Sequence, residues 1–330
     1  MRKRFVFARE DRPGEAWRAR FAAGRDEAER WYFGGVRAAA GGAKSAPGAA
    51  ACRAALRRHM PELLPHYDHV CALAGDDALA HRILSHYRPP PQIAGCSQAV
   101  FLDRDGPVLI RNYDFPLDVV SDDSTAWSGR EVIAKGQRPW GGCLDGMNQD
   151  GLAASMTFGG SPARGEGFAI ILMLRYVLET CREVDEAVAA LIRIPVAMAH
   201  NVTLLDRSGA HATLFLGPDR PPAVTRELCC TNHQETVVWT EHAANSRTVE
   251  RYAALAALLA EPGMTLERLI ESFLAPPLYS RQRAFPTVYT AVYRPAEGRV
   301  EYIWRGKIWS QHIGGFEAGE YTHDYGDLTP

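Results

Sequence analysis

The stretch that decides this chain is Gly95-Cys96-Ser97-Gln98-Ala99-Val100-Phe101-Leu102-Asp103-Arg104-Asp105-Gly106-Pro107-Val108-Leu109-Ile110-Arg111-Asn112-Tyr113-Asp114-Phe115. Two strand-forming runs, 99–103 and 108–111, flank Arg104-Asp105-Gly106-Pro107, and Asp-Gly between such runs is a hairpin signal. Just upstream, Pro89-Pro90-Pro91 stops any helix. Cys96 follows that stop by five residues, at the head of a strand.

On either side the chain has two characters. Residues 1–95 are rich in Ala, Arg and Glu, with helices expected over 14–28, 51–60 and 76–87 and a Gly/Ala/Ser/Pro-rich loop over 41–51. From Cys96 onward strands dominate: 152–158, 202–206, 212–215, 223–227 and 236–239, then a second hairpin of 288–293 and 300–304. Helices are expected over 168–192, from Asn245 or Ser246 to Pro262-Gly263, and after Thr265. Strands, helices and strands again suggest a layered protein with largely antiparallel sheets.

Composition narrows the function classes. The 330 residues are 46% hydrophobic and 23% charged, with a formal net charge of −2. That balance offers nothing to nucleic acid or to a membrane surface. Seven cysteines, an odd number with no CxxC pair, argue against a disulfide framework or a zinc site. No cofactor is expected, and a reducing compartment, the cytoplasm, is. The first ten residues are basic but lack the apolar stretch of a signal peptide. The apolar run 168–174 is far too short to span a bilayer.

If the Gly95–Cys96 bond were cut, Cys96 would carry both a thiol and an α-amino group. That amine, with an ordinary pKa of about 7.7–8.0, can accept the thiol proton near neutrality, so no separate histidine is needed. Gly95 places no side chain against a strained peptide there. The hairpin returns Arg111 and Asp114 toward Cys96. Arg111 can donate to an oxygen or lower the thiol pKa, and Asp114 can orient the amine. Positions i and i+3 of a regular strand face opposite sides, so both reach one site only if the strand ends or bulges near Asn112 or Tyr113. Plainer readings stand beside these. A cysteine among apolar residues is usually inert core, Arg111 and Asp114 can be a surface ion pair, and Asn232 can be a turn residue. Asn148 with Gly151 reads first as a hairpin turn, and His233 as structural.

Taken together, Cys96, Arg111-Asn112-Tyr113-Asp114, Gly146-Met147-Asn148-Gln149-Asp150-Gly151-Leu152, the strand 201–206 with Gly209, Thr231-Asn232-His233, and Ser246 with Arg247 or Arg251 resemble the penicillin acyltransferase group of cysteine Ntn hydrolases, the C45-type peptidases. More distantly they are similar to choloylglycine hydrolases and penicillin V acylases. The resemblance implies an α+β, four-layer αββα sandwich. It implies that residues 1–95 are a helical pro-segment that becomes a small subunit, and that 96–330 are the catalytic subunit after autoproteolysis before Cys96. It implies attack on a linear amide, with the acyl group passed to water or an amine, so the partner is a small-molecule acyl amide or acyl donor, acyl-CoA included. Homo-oligomerisation stays open. Asn232 would donate to the oxyanion. Arg251 would join the catalytic set and Arg247 the support, with the choice between them open; Asn148 and Thr157 would also support. Relatives often carry Asn where Thr157 stands and an acid around 213–215, which this chain lacks. Two rival readings remain: a papain-like enzyme pairing Cys96 with His233 without cleavage, and an inactive binding protein on the same fold.

Overall fold

The computed structural model describes residues 1–40, 47–91, 93–117, 130–136 and 141–329, apart from the side chains of 31 and 33–40. Two six-stranded antiparallel sheets lie face to face. The first runs in the order β10 (Cys229–Cys230), β2 (Gly95–Asp103), β3 (Gly106–Asp114), β11 (Thr287–Arg294), β12 (Arg299–Trp304), β13 (Lys307–His312). The second runs β4 (Val132–Lys135), β5 (Asp145–Asn148), β6 (Ala153–Phe158), β7 (His200–Leu205), β8 (His211–Gly217), β9 (Arg220–Thr225). Helices α5 (Ile170–Thr180) and α6 (Val184–Arg193) cover the outer face of the second sheet, packing on β5, β6, β7 and β8. Helices α8 (Thr248–Ala260) and α9 (Leu266–Phe273) cover the outer face of the first, where Leu255, Leu266, Leu269 and Phe273 meet Ala99, Val108, Ile110 and Val292. Helix, sheet, sheet, helix is the four-layer αββα arrangement expected.

Both predicted hairpins form. β2 and β3 pair without a break from Asp103 opposite Gly106 to Gly95 opposite Asp114, with Gly106 at φ 129° where a side chain would be strained. β11 and β12 pair across 294–299. The helix expected over 168–192 is two, because Cys181-Arg182-Glu183 leaves the helical region: Cys181 is extended at ψ 153° and Glu183 at ψ 168°. The helix expected from Asn245 or Ser246 begins two residues after Ser246, at Thr248, as α8. A short α7 (Thr240–Ser246) precedes α8, and Arg247, in the left-handed region at φ 50°, makes the break. The stretch 236–239 is a loop and not a strand.

The N-terminal segment is not wholly helical. It holds α1 (Glu15–Ala40), α2 (Ala49–His59), α3 (Leu64–Leu73) and α4 (Ala78–Ser85), but opens with β1 (Arg2–Phe7), which pairs antiparallel with the C-terminal β14 (Gly319–Asp324). Phe5 and Phe7 are buried: Phe5 packs on Trp304, and Phe7 on Tyr302 and Trp309. Lys135 places its ammonium 4.6 Å from the Phe7 ring centre and 5.0 Å from that of Phe5. The loop expected over 41–51 falls, for 41–46, outside the described residues. No helix among the described residues is long and apolar enough to cross a membrane.

Candidate active site

Cys96 is the second residue of β2, fully buried, and opposite Tyr113 on β3. β2 is not an edge strand, since β10 lies on its other side. β10 is only two residues long, however, and pairs Cys230 with Gln98 and Cys229 with Ala99. At Cys96 the ladder has run out, and the Asn232 side chain takes the vacant place: the Cys96 backbone N–H donates to Asn232 Oδ1 at 2.7 Å.

Strand alternation sorts the neighbours. Gln98 and Arg111 point with Cys96 toward the second sheet, and Arg111 Nη2 donates to Cys96 Sγ at 3.2 Å. Ser97, Asn112 and Asp114 point the other way, toward the α8–α9 layer, where Asn112 donates to Phe273 O and Leu278 O. So β3 neither bulges nor turns to bring Arg111 and Asp114 together. The irregularity lies in β11, between Thr287 and Tyr289, and the site straddles both faces of β2. Nor are the two an ion pair with each other. Arg111 pairs with Asp145 at 2.8 Å, both side chains fully buried. Asp114 faces Arg251 at 3.4 Å and accepts from Thr287 Oγ1 at 2.7 Å.

Arg251 ties the second face together. From α8 it donates to the Cys96 carbonyl at 2.7 Å, to Ser97 Oγ at 2.7 Å and to Asn232 Oδ1 at 2.6 Å, while its Nε donates to Ser246 O. Arg247 does not join it. That side chain is exposed and paired with Glu250. Asn148 is likewise elsewhere: it closes its own turn by accepting from Asp150 N and Leu152 N, and donates to Leu178 O and Cys181 O. Thr157 sits behind the site, its hydroxyl donating to Thr231 O at 2.7 Å and accepting from Asn201. It holds the Thr231–Asn232 backbone. Gly95 is in unstrained strand conformation, and a Cβ there would meet Phe285 and Asp114 at ordinary contact of 3.4–3.5 Å. The strain argument for a glycine at that position is therefore not supported.

The charges have definite directions. Burial pushes the Cys96 thiol up, and Arg111 opposes that. Burial also pushes Asp114 up, to about 6, against Arg251 and the Thr287 hydroxyl. Burial works against the charge on Arg111, but Asp145, Cys96, Tyr289 and Tyr293 together outweigh it and keep the guanidinium protonated. His233 bonds Thr248 Oγ1 through Nδ1 at 2.9 Å and stacks edge-on against Tyr252; no described hydrogen bond joins it to Cys96. Burial, with Arg251, lowers its pKa.

Sequence reading missed the groups that hold this set. Asp145 accepts from Tyr289 OH at 2.7 Å and from Tyr293 OH as well as from Arg111. The four-residue spacing of the two tyrosines places both on one strand face, a legible signal, but Asp145-Gly146 reads as a turn and not as a buried strand. Thr248 receives the Asn232 N–H at 2.7 Å. Gly160, at φ 73°, lets Asn232 approach closely, since a Cβ there would lie 2.5 Å from Asn232 O.

A four-layer αββα sandwich with a cysteine heading an inner strand, its nitrogen, carbonyl and sulfur each held by a separate polar side chain, defines a cysteine hydrolase of the Ntn class. Residues 102–309, well over half of the chain, match the family described as acyl-coenzyme A:6-aminopenicillanic acid acyl-transferase, and the chain belongs to it. Among solved structures it is similar to a mutant conjugated bile acid hydrolase from Clostridium perfringens (12% identity, 70% of this chain and 97% of that one, TM-score 0.47). It is also similar to penicillin V acylase from Agrobacterium tumefaciens (17%, 66% and 86%, TM-score 0.44). A third is an N-acylethanolamine-hydrolyzing acid amidase ortholog from Caenorhabditis elegans (13%, 61% and 93%, TM-score 0.44). No curated protein matches. The protein is an enzyme of the amide bond, a hydrolase or N-acyltransferase.

Proposed function

We propose that the chain cuts itself between Gly95 and Cys96 and that the new N-terminal Cys96 attacks linear acyl amides. In the intact chain Sγ would add to the Gly95 carbonyl carbon, the Gly95–Cys96 C–N bond would break, and a thioester with a free α-amine would form. Water would then release residues 1–95. In the cleaved enzyme the amine takes the thiol proton and the thiolate attacks the substrate carbonyl. The leaving amine departs with that proton, and the acyl thioester passes to water or to a second amine. The observation that carries this reading is the contact of the Cys96 N–H with Asn232 Oδ1. It reserves an acceptor for the amine that cleavage would create, and leaves Asn232 Nδ2, with only a 3.4 Å contact to Phe158 O, as a donor for the oxyanion. Arg251 orients Asn232 and the Cys96 carbonyl, and Arg111 supplies positive charge to the sulfur. Asp114, joined to the cluster through Arg251, orients the amine.

The same geometry disfavours the Cys96–His233 pairing, since His233 is committed to Thr248. Acyl-CoA as donor and the cytoplasm as compartment belong to the same proposal; seven free thiols suit a reducing environment. The test is denaturing electrophoresis with N-terminal sequencing, and mass spectrometry after brief exposure to an activated acyl amide. A fragment ending at Gly95, a new Cys N-terminus and an acylated Cys96 peptide are expected, all absent in Cys96→Ala. An intact chain with full activity refutes the cleavage step.

A further inference from the structure

Beside the nucleophile lies a wall of rings to which the mechanism above gives no task. Phe285 packs against Gly95, 3.4 Å from where a Cβ would be. Its ring meets His242, and His242 meets Phe158 (centroids 4.8 Å apart) and Trp239 (5.4 Å). Phe158 also meets His200, their rings nearly perpendicular with centroids 6.0 Å apart. The wall reaches solvent through the half-buried Phe285 and Trp239 and then through Val237 and Val238, 37% and 63% exposed. It belongs to the site's own framework. His242 shares α7 with Ser246, whose hydroxyl donates to His242 O and whose carbonyl accepts from Arg251.

Three ring nitrogens in this wall are buried and have no partner among the described residues: both of His242, 5% exposed, and Nε2 of His200, 3% exposed. Buried polar atoms nearly always have partners, and an orphan calls for water or a ligand. The tautomer of His200 follows from its other nitrogen, which lies 3.1 Å from the Met198 carbonyl and so carries the proton. Its Nε2 is then a bare acceptor in need of an O–H or N–H. Burial holds both imidazoles neutral, with pKa values lowered to about 4, so neither would offer a cation to a carboxylate.

The geometry points to an acyl-group subsite on the wall of Phe158, Trp239, His242 and Phe285, selecting neutral, ring-bearing acyl groups that carry a hydroxyl or N–H for the orphan nitrogens of His242 and His200. This rests on the proposed reaction at Cys96, because the acyl group of a substrate attacked by that sulfur replaces Gly95, which Phe285 touches. Rings pack on the aromatic faces, and the polar atom gives a partner to one of the nitrogens that otherwise remain unpaired. A straight saturated chain would leave them unpaired, and an anionic acyl group would be desolvated without a counter-charge.

The test uses the whole purified protein and needs no turnover. Binding of 4-hydroxyphenylacetamide, phenylacetamide, hexanamide and succinamate is followed by histidine ¹⁵N shifts and tryptophan fluorescence. The hydroxylated ring should bind about tenfold tighter than the plain ring, the plain ring tighter than the chain, and succinamate weakest. Two histidine side chains should change ¹⁵N shift on binding. His242→Phe should abolish the hydroxyl advantage, and His242→Gln should keep part of it. Equal affinity for the two rings, unchanged histidine shifts, or an advantage that survives His242→Phe would overturn the subsite and leave the orphans to water. If Cys96 is never acylated yet the hydroxyl advantage holds, the reaction proposal falls, and the wall stands as a binding site for such rings and not as an acyl subsite.

Discussion

At the scale of single residues, the site is set by two fully buried arginines with different partners. Arg111 stands between Cys96 and Asp145, so the charge near the sulfur depends on a carboxylate that itself needs two tyrosine hydroxyls. Removing one member of a buried ion pair strands the other, at a typical cost of about 3–5 kcal/mol. Asp145→Asn is therefore expected to lower the urea midpoint markedly and to slow alkylation of Cys96, while Tyr293→Phe should do both to a smaller degree. Asp114 yields a pH prediction. Its folded pKa of about 6 lies above the ordinary value of 3.8, so between those values the folded chain holds a proton that the unfolded chain has lost. Stability must then fall as pH rises from about 4 to about 6, by at most about 3 kcal/mol. Activity, if it needs the carboxylate, should rise over the upper part of that window. Urea titrations and pH–rate profiles on the native protein and Asp114→Asn check both; the variant should lose the stability slope and the rising limb together.

At the scale of elements, what the sequence made legible and what it hid have separate causes. The β2–β3 hairpin, the β11–β12 hairpin and the Thr265-capped helix were legible because a turn residue or cap stands next to strong periodicity. Cys96, Arg111, Asp114, Asn232 and Arg251 were legible as one group through the family resemblance, because three of them lie on that hairpin, Asn232 follows a strand and Arg251 lies near a helix start. Arg251 could not be separated from Arg247 by sequence, since they lie one helical turn apart and only the left-handed φ of Arg247 turns it outward. β1 and β14 were hidden because each pairs with the far end of the chain, where no local signal exists. That pairing makes a prediction about the cut chain. Residues 1–95 contribute Phe5 and Phe7 to a core shared with Trp304, Tyr302 and Lys135, so after cleavage the fragment should stay bound in native buffer. Phe5→Ala or Phe7→Ala should each cost about 3–5 kcal/mol. In the double variant, gel filtration of cleaved protein should show the fragment separating, where the native fragment co-elutes. Separation of the native fragment without denaturant would contradict this.

At the scale of the whole molecule, the two sheets meet near the nucleophile through polar side chains, an uncommon choice for the middle of a sandwich. Gln98, two residues beyond Cys96 on the same face, donates to Thr203 Oγ1 at 2.7 Å and Cys230 Sγ at 3.0 Å and accepts from Ser155 Oγ at 2.6 Å. Thr203 continues to Thr213. Apolar faces slide on one another at little cost, whereas a satisfied hydrogen-bond network permits one registry and penalises the rest. The network thus fixes how the second sheet, which carries Asp145 and Thr157, meets the strand that carries Cys96. Gln98→Leu keeps the volume but leaves the Ser155 and Thr203 hydroxyls short of partners, at about 1–3 kcal/mol for each buried group. It should therefore destabilise the fold despite adding apolar surface, and should slow acylation of Cys96 although residue 98 touches no substrate. Adding Ser155→Ala removes one stranded hydroxyl, so the double variant should be less unstable than the two single effects combined, a coupling of about 0.5–3 kcal/mol. Urea unfolding of the four proteins in the cycle measures the coupling, and acyl-probe labelling of Cys96 measures its reach. Strict additivity with unchanged labelling would mean that the sheets hold their registry without this network.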